Sequence, residues 1–251
     1  MELSNFPDPT LAYLYRRFLA NQLLKNTKAG KFLEIGVGSG RFYEDLVARG
    51  FHGLCLDLNA ELIGERRSRA RSAGVEFQAR NFFSLGERFT LLVAFEVLEH
   101  YQDDLACLRR WWELLEPAGA LLFSVPAHMR QWTQNDTRAG HARRYEKAEL
   151  IGKLGATGFQ IEQFWCYGFP ILNLTYPLSS KFAADLEGPQ HFDPLMTDCG
   201  KTSVSGMPKF PWLSRILFHK WVWKPALYAQ LLMKGRDLGT GYLVKCRKPM
   251  E

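Results

Sequence analysis

Apolar positions along this chain follow two rhythms that alternate. Residues 9–26 place Leu11, Leu14, Tyr15, Phe18, Leu19 and Leu23 at helical spacing, which predicts an amphipathic helix. KFLEIG is then a short apolar strand, and RFYEDLVARG a helix closed by Gly50. GLCLDL is a second strand, and Asn59 is placed to cap the arginine-rich helix that follows. VEFQARNF reads as a third strand. FTLLVAFEV reads as a fourth, nearly all apolar, as expected for a strand covered on both faces. DDLACLRRWWELLEPAG has acids in its first turn and Pro-Ala-Gly at its end, a helix by both signals, and ALLFSVPA follows as a fifth strand. Strands alternating with helices predict an α/β protein with a parallel sheet and crossover helices. Residues 127–145 read as a long loop, EKAELIGKLGATGF as a helix and QIEQFWCYGF as a sixth strand. Residues 169–235 lose the alternation, and GTGYLVKCRK closes the chain as an edge strand.

Composition narrows this only a little. At 251 residues, with 47% hydrophobic and 23% charged, the chain is long and apolar enough for a large core. The net charge of +6 favours anionic partners in general. Arg66, Arg67, Arg69 and Arg71 read as the solvated face of a surface helix, and no basic run interleaved with aromatics suggests a nucleic-acid groove. The five cysteines are far apart and have no metal-ligand spacing. They predict reduced, mostly buried thiols in a cytoplasmic protein. The first ten residues do not have the order of a signal peptide, and no apolar run nears the ~20 residues of a membrane span.

The chemistry begins at KFLEIGVGSGRF. Gly36, Gly38 and Gly40 fall where a strand gives way to a helix, the place where open α/β sheets bind ligands. Glycines there let the backbone turn tightly and approach a ligand. A dinucleotide site wants G-x-G-x-x-G, but here the third glycine comes one residue early. Glu34 beside the loop would repel a phosphate and attract a cation. Asp57, ending the second strand, can accept both hydroxyls of a ribose. A nucleoside with a positive group and no phosphate fits these features, and S-adenosylmethionine is one.

LEIGVGSG, LDLN, FEVLEH and ALLFSVPAH, in that order, resemble the successive motifs of class I S-adenosylmethionine-dependent methyltransferases, in the small-molecule branch that includes the ubiquinone-biosynthesis type. The resemblance covers residues 31 to about 165 and the closing strand. It implies a doubly wound, mostly parallel seven-stranded sheet with a reversed last strand. The core would be 1–168 and 236–251, with 169–235 an insertion before that strand. It also implies roles. Glu34 would hold the methionine end, Gly36, Gly38 and Gly40 would line the cofactor, and Asp57 would bind ribose. Leu58 would pack on adenine, Asn81 would contact its amino group, and Phe82 would offer its backbone N–H. Phe95 and Glu96 would flank the methionine part.

Two segments could handle a small-molecule acceptor. In FEVLEHYQDD, helical spacing brings Glu96, Glu99 and His100 to one face. They could hold a divalent cation, or His100 could act as a base. The reading preferred is that Glu99 and His100 orient the loop, and no metal is assigned. WTQNDTRAGHARRYEKAEL resembles the D-x-x-x-G-H-x-R-R-Y segment of many members of the branch. By that resemblance His141 is a candidate base, Asp136 and Arg144 bind the acceptor, and Tyr145 orients it or closes a lid. A loop pinned by Asp–Arg pairing with Tyr145 as an anchor is the other reading. The aromatic insertion places Trp212, Ile216, Leu217 and Trp221 on one helical side with Arg215, Lys220 and Lys224 near by. It reads as an acceptor lid, as core packing, or as a peripheral membrane contact through 205–235. The methylated atom, O, N or C, stays open, as does the oligomeric state. A binding module without turnover and a nicotinamide oxidoreductase are the rival readings.

Overall fold

A computed structural model of the chain describes residues 11–38, 40–69, 74–175 and 220–250. Helix α1 (Leu11–Leu23) precedes strand β1 (Lys31–Ile35). Then come α2 (Phe42–Val47), β2 (His52–Asp57), α3 (Ala60–Arg69), β3 (Val75–Ala79) and β4 (Phe89–Phe95). Helix α4 (Asp104–Leu114), β5 (Leu115–Pro126), the short α5 (Gln134–Arg138), α6 (Lys147–Ala156) and β6 (Gln160–Tyr167) follow. Helix α7 (Lys220–Met233) and β7 (Gly241–Arg247) end the described chain.

The seven strands lie in the order β3-β2-β1-β4-β5-β7-β6, all parallel except β7. The predicted α/β class, strand number and reversed last strand are therefore present. β7, expected at an edge, is instead inserted between β5 and β6, antiparallel to both. Its first six residues, from Gly241 to Cys246, are all buried, and a strand covered on both faces needs neighbours on both sides for its backbone groups. The edge strand on that side is β6, whose first five residues are only partly covered.

Apolar side chains fill both faces. Tyr15 and Leu19 of α1, Phe42 and Leu46 of α2, Ile63 of α3 and Leu227 of α7 form one buried layer. Trp111 and Leu114 of α4 with Leu150 and Leu154 of α6 form the other. The predicted Asn59 cap is present, its side chain accepting from Leu62 N, and α4 has a cap of its own in Asp103, whose side chain accepts from Ala106 N. The helix before β5 ends sooner than its Pro-Ala-Gly signal suggests. Pro117, Ala118 and Gly119 belong to a bulge in β5, where Ala118 takes a φ of 60° and the register with β4 slips between Phe89 and Leu91. Arg66 also departs from expectation. It is 2% exposed and reaches inward to donate to Gly38 O at 2.9 Å.

Of the insertion, α7 packs on the core. Tyr228 meets Phe18 of α1 edge-on at 5.2 Å, and Gln230 accepts from Gly168 N. Trp212, Arg215, Ile216 and Leu217, and the predicted helical side that joins them to Lys220, Trp221 and Lys224, lie outside the described residues. Cys55, Cys107, Cys166 and Cys246 are buried free thiols, as predicted.

Trp111 is wholly buried, yet its indole N–H has no hydrogen-bond partner. Trp111→Ala should destabilise the fold by about 3–5 kcal/mol. Trp111→Phe, which removes the unpaired donor and keeps most of the ring, should lose less than half of that. Chemical denaturation midpoints check the pair.

Candidate active site

Strand order reverses between β1 and β4, because α2 leads away to one side of the sheet and α4 to the other. Their carboxyl ends diverge and leave a crevice, the position where open α/β sheets take ligands. The glycine loop enters it from β1 and residues 95–100 enter it from β4.

The loop is shaped by its own geometry. Gly36 has a φ of +71°, and a Cβ there would stand 2.6 Å from Val97 Cγ2, so only glycine fits the bend beside β4. Gly38 has a φ of +50°, and its N–H donates to Asp57 Oδ2 at 2.9 Å. Asp57 Oδ1 accepts from Asn59 N at 3.0 Å. The Asp57 carboxylate thus fixes the loop to the end of β2. Gly40 lies under Tyr13, whose hydroxyl accepts from Arg41 N at 2.8 Å, so α1 lies across the loop. Glu34 is 3% exposed, and burial pushes its carboxyl from 4.5 up to about 8, against the pull of Arg66. At neutral pH it holds its proton.

Glu96 has a φ of 55°, rare for a residue with a side chain. Its Oε1 receives Ser124 Oγ at 2.8 Å, Arg16 Nη1 at 3.1 Å and the Tyr167 hydroxyl at 3.4 Å. Arg16 also lies over the Phe95 ring, and its Nε is buried without a hydrogen-bond partner. Four elements, α1, β4, β5 and β6, therefore converge on one carboxylate.

Beside this group, Glu99 is fully buried and neither carboxylate oxygen has a hydrogen-bond partner. Burial and then the neighbouring Glu96 raise its pKa well above the carboxylate range. His100 is lowered from 6.5 to about 4, first by burial and then by His141, so it is neutral at pH 7. The His100 and His141 rings meet edge-on at 4.9 Å. His141 Nδ1 stands 3.0 Å from Asp136 Oδ1, and Nε2 lies 3.8 Å from Glu99 Oε1. A carboxylate can only accept, so Nδ1 carries the proton and Nε2 is the basic nitrogen. One ligand atom from each of Glu99, His100 and His141 lies within 4.8 Å of the others, so these three could also hold a cation.

The segment expected as a loop is pinned. Asp136 is wholly buried and takes two hydrogen bonds from Arg144, at 2.9 and 3.0 Å, besides that of His141. Burial opposes its charge, but His141 and Arg144 hold its carboxyl below the usual range. Tyr145 is also fully buried, its hydroxyl donating to Asp104 at 2.9 Å. Residues 127 and 145 form an isolated parallel bridge that returns the segment to the end of β5.

The sequence profile described as "Methyltransferase domain" matches residues 9–163. The chain belongs to this methyltransferase-domain family. Among its relatives, the ubiquinone biosynthesis O-methyltransferase of Azorhizobium caulinodans is 28% identical over 56% of this chain and 62% of its own length. That of Xanthomonas campestris pv. campestris is 30% identical over 49% of this chain and 51% of its own length. The chain thus spans between half and two thirds of these relatives. Among solved structures, the [4+2]-cyclase SpnF superimposes with a TM-score of 0.61 at 16% identity, covering 94% of this chain and 81% of that one. An S-adenosylmethionine-dependent methyltransferase of Mesorhizobium loti gives a TM-score of 0.56 at 15% identity, covering 92% and 97%. These establish the methyltransferase-type, Rossmann-like fold.

In this methyltransferase-domain chain the predicted residues separate into two groups. Glu34, Gly36, Gly38, Gly40, Asp57, Phe95, Glu96, His100 and His141 come together around the crevice. Leu58 is 48% exposed, its side chain open to a stacked ring. The others are placed differently. Asn81 Oδ1 accepts from Phe83 N and caps a short helical turn, so the oxygen expected at adenine already has a partner. Phe82 is 2% exposed and packs with Tyr101 and Trp111, which leaves only its backbone for a ligand. Asp136, Arg144 and Tyr145 satisfy one another or Asp104 in the interior. Their contacts are those of a pin and an anchor.

Arg16, Ser124 and Tyr167 were not foreseen. The only sign of Arg16 in the sequence is a pair of arginines interrupting the apolar stripe of α1. Its neighbour Arg17 pairs with Asp45 at 2.6 Å.

The raised pKa of Glu34 gives a pH dependence of definite sign. The folded state binds the Glu34 proton more tightly than the unfolded chain, so its contribution is fully present below about 4.5 and is lost as pH rises through about 8. In Glu34→Gln this fall in stability between pH 4.5 and 8 should be absent, read as the difference in urea midpoints between variant and parent across that window.

Proposed function

We propose that this chain binds S-adenosylmethionine at the β1–β4 crevice and transfers its methyl group to a hydroxyl oxygen of a small molecule. The observation that carries this reading is the pairing, across one crevice, of a glycine bend fixed by Asp57 with an oriented imidazole, His141. The crevice residues suit the cofactor. A ribose would share the Asp57 carboxylate, which already faces Gly38. The amino-acid end carries an ammonium and a carboxylate, and the crevice offers Glu96 and Arg16, whose Nε is buried and lacks a partner. When bound, the sulfonium supplies a methyl that needs no further activation.

The chain's own residues then align the acceptor and move a proton. With the cofactor bound, the acceptor hydroxyl would give its proton to His141 Nε2 as its oxygen takes the methyl carbon, the carbon–sulfur bond breaking to leave S-adenosylhomocysteine as a neutral thioether. Asp136 holds the ring in the tautomer that makes Nε2 basic, and stabilises the imidazolium that results. Holding the reacting atoms close and in line is most of what this displacement needs. An oxygen acceptor agrees with the O-methyltransferase names of the relatives and gives His141 a proton to take. Fold alone does not dictate transfer, since SpnF is named a cyclase.

Calorimetry with S-adenosylmethionine and S-adenosylhomocysteine, followed by a screen of hydroxylated acceptors, tests the reading. Both nucleosides should bind and raise the melting temperature. Asp57→Ala and Gly38→Val should each weaken binding by at least tenfold. His141→Ala should keep the binding and lose about 10²–10⁴-fold in turnover. Binding without turnover for any acceptor would favour a partner module, and binding of NADH instead would favour an oxidoreductase.

Membrane contact through 205–235 is a second, narrower reading. Among the described residues it is supported by Tyr228 and Leu232, 52% and 83% exposed, one turn apart on α7. No helix among the described residues is long and apolar enough to cross a bilayer. The chain should sediment with vesicles containing anionic lipid, and Leu232→Asp should reduce that. No sedimentation by the parent chain removes the reading.

A further inference from the structure

A second cluster of metal-ligating side chains stands apart from the crevice, at the other end of the same sheet edge. His128 follows β5, Cys166 is the penultimate residue of β6, and Asp237 precedes β7. These strands are neighbours in the order β5-β7-β6, so residues 38 and 71 positions apart in sequence meet in space. One ligand atom from each lies within 4.8 Å of the others. No short sequence spacing announces the group, which is why a search for paired cysteines and histidines passes over it.

We propose that His128, Cys166 and Asp237 bind one divalent ion of the zinc class, with Glu146 orienting the histidine.

Three observations carry this. His128 is 4% exposed, and its Nε2 is buried without a hydrogen-bond partner. Nε2 approaches Asp237 Oδ1 to 3.3 Å, yet the contact is not a hydrogen bond. Two ligands each about 2.0–2.1 Å from a tetrahedral ion stand about 3.3–3.4 Å apart, off the axis a ring N–H would need. The observed separation is the edge of such a tetrahedron.

The other ring nitrogen supplies the second observation. His128 Nδ1 lies 3.2 Å from Glu146 Oε2, and Glu146 Oε1 is itself held by Met129 N at 3.0 Å. Donation from Nδ1 to a fixed carboxylate leaves the Nε2 lone pair free, the arrangement by which metal-bound histidines are oriented. The third is the support around the remaining ligands. Tyr242 donates its hydroxyl to Asp237 Oδ1 at 2.7 Å, and Gly239 donates its N–H to Cys166 Sγ at 3.1 Å. That N–H favours the thiolate a metal requires, against the burial that keeps Cys166 a thiol until an ion displaces its proton. The Asp237 side chain is 39% exposed, so the ion has a path in and water can complete its coordination.

Such an ion would tie the ends of three strands at the root of residues 169–235. It would fix where that segment leaves and rejoins the sheet.

Cobalt(II) tests the proposal, because thiolate ligation gives a charge-transfer band in the near ultraviolet. The whole chain, in a Cys199→Ser background and stripped with chelator, is titrated with Co²⁺ alone. One equivalent should bind with that band, and Zn²⁺ should displace it and raise the melting temperature. Cys166→Ser should abolish the band, and Glu146→Gln should weaken metal affinity by about 10–100-fold. His100→Gln with His141→Gln should leave the band intact, since the crevice cluster contains no thiol. Where Cys166→Ser does not fold, loss of the band in Asp237→Asn decides the same question. No band in the Cys199→Ser chain, or a band that survives in Cys166→Ser, overturns the assignment. In that case the three side chains are a polar cluster at the strand ends that holds no ion.

Discussion

A carboxylate removed from water must find a donor, a cation or a proton, and this constraint organises the ligand-binding edge of the sheet. Four carboxylates surround the β1–β4 crevice and a fifth, Asp136, lies behind His141, and they meet it in different ways. Asp57 takes backbone N–H groups from the glycine loop and the start of α3. Glu96 takes a guanidinium and hydroxyls from elements far apart in sequence. Asp136 takes a bidentate arginine and an imidazole. Glu34 and Glu99, buried without enough donors, keep their protons. Two of these solutions are structural, because they fix the loop and the 127–145 segment. The protonated pair is a reserve of latent negative charge that a cationic ligand can draw out.

The parts that the sequence made legible are those governed by local physics. Period-two and period-3.6 patterns identified the strands and most helices, since burial on one or both faces writes itself into adjacent residues. The glycine loop was legible because a positive φ at Gly36 and Gly38 admits few other residues. Misreadings arose where a distant partner decided the outcome. Pro-Ala-Gly ends helices well, but here it serves a bulge that lets β5 recover its register with β4. Arg66 looked like a solvent-facing charge because the helix around it is arginine-rich. Its guanidinium is drawn inward by the Gly38 carbonyl. Arg16 was hidden because helical periodicity scores only apolar positions, and a charge that interrupts the stripe reads as noise.

The D-x-x-x-G-H-x-R-R-Y segment divides along the same line. Its residue types suggested an acceptor site, and chemistry alone could not say which members would be free. In the fold, Asp136, Arg144 and Tyr145 fix the segment, and His141 is the member left with an available nitrogen. Breaking such a buried ion pair by removing one partner costs about 3–5 kcal/mol, so the pin and the imidazole it orients are energetically one unit. A side chain on a loop is only as well placed as the loop, and here the loop is bridged to β5 and paired through Asp136.

The same reasoning gives the His128 cluster its place. The crevice lies over β1 and β4, whereas the segment expected to cover an acceptor is rooted at β6 and β7, at the far end of the sheet. A displacement reaction tolerates little error, since a misplacement of about 1 Å can cost about 100-fold in rate. Whatever covers the crevice must therefore be held at its root. Tyr167 already ties the end of β6 to Glu96 in the crevice. Cys166, one residue earlier, points to the opposite face of the sheet, toward His128 and Asp237. Adjacent residues of one strand thus reach the Glu96 network on one face of the sheet and the proposed ion site on the other.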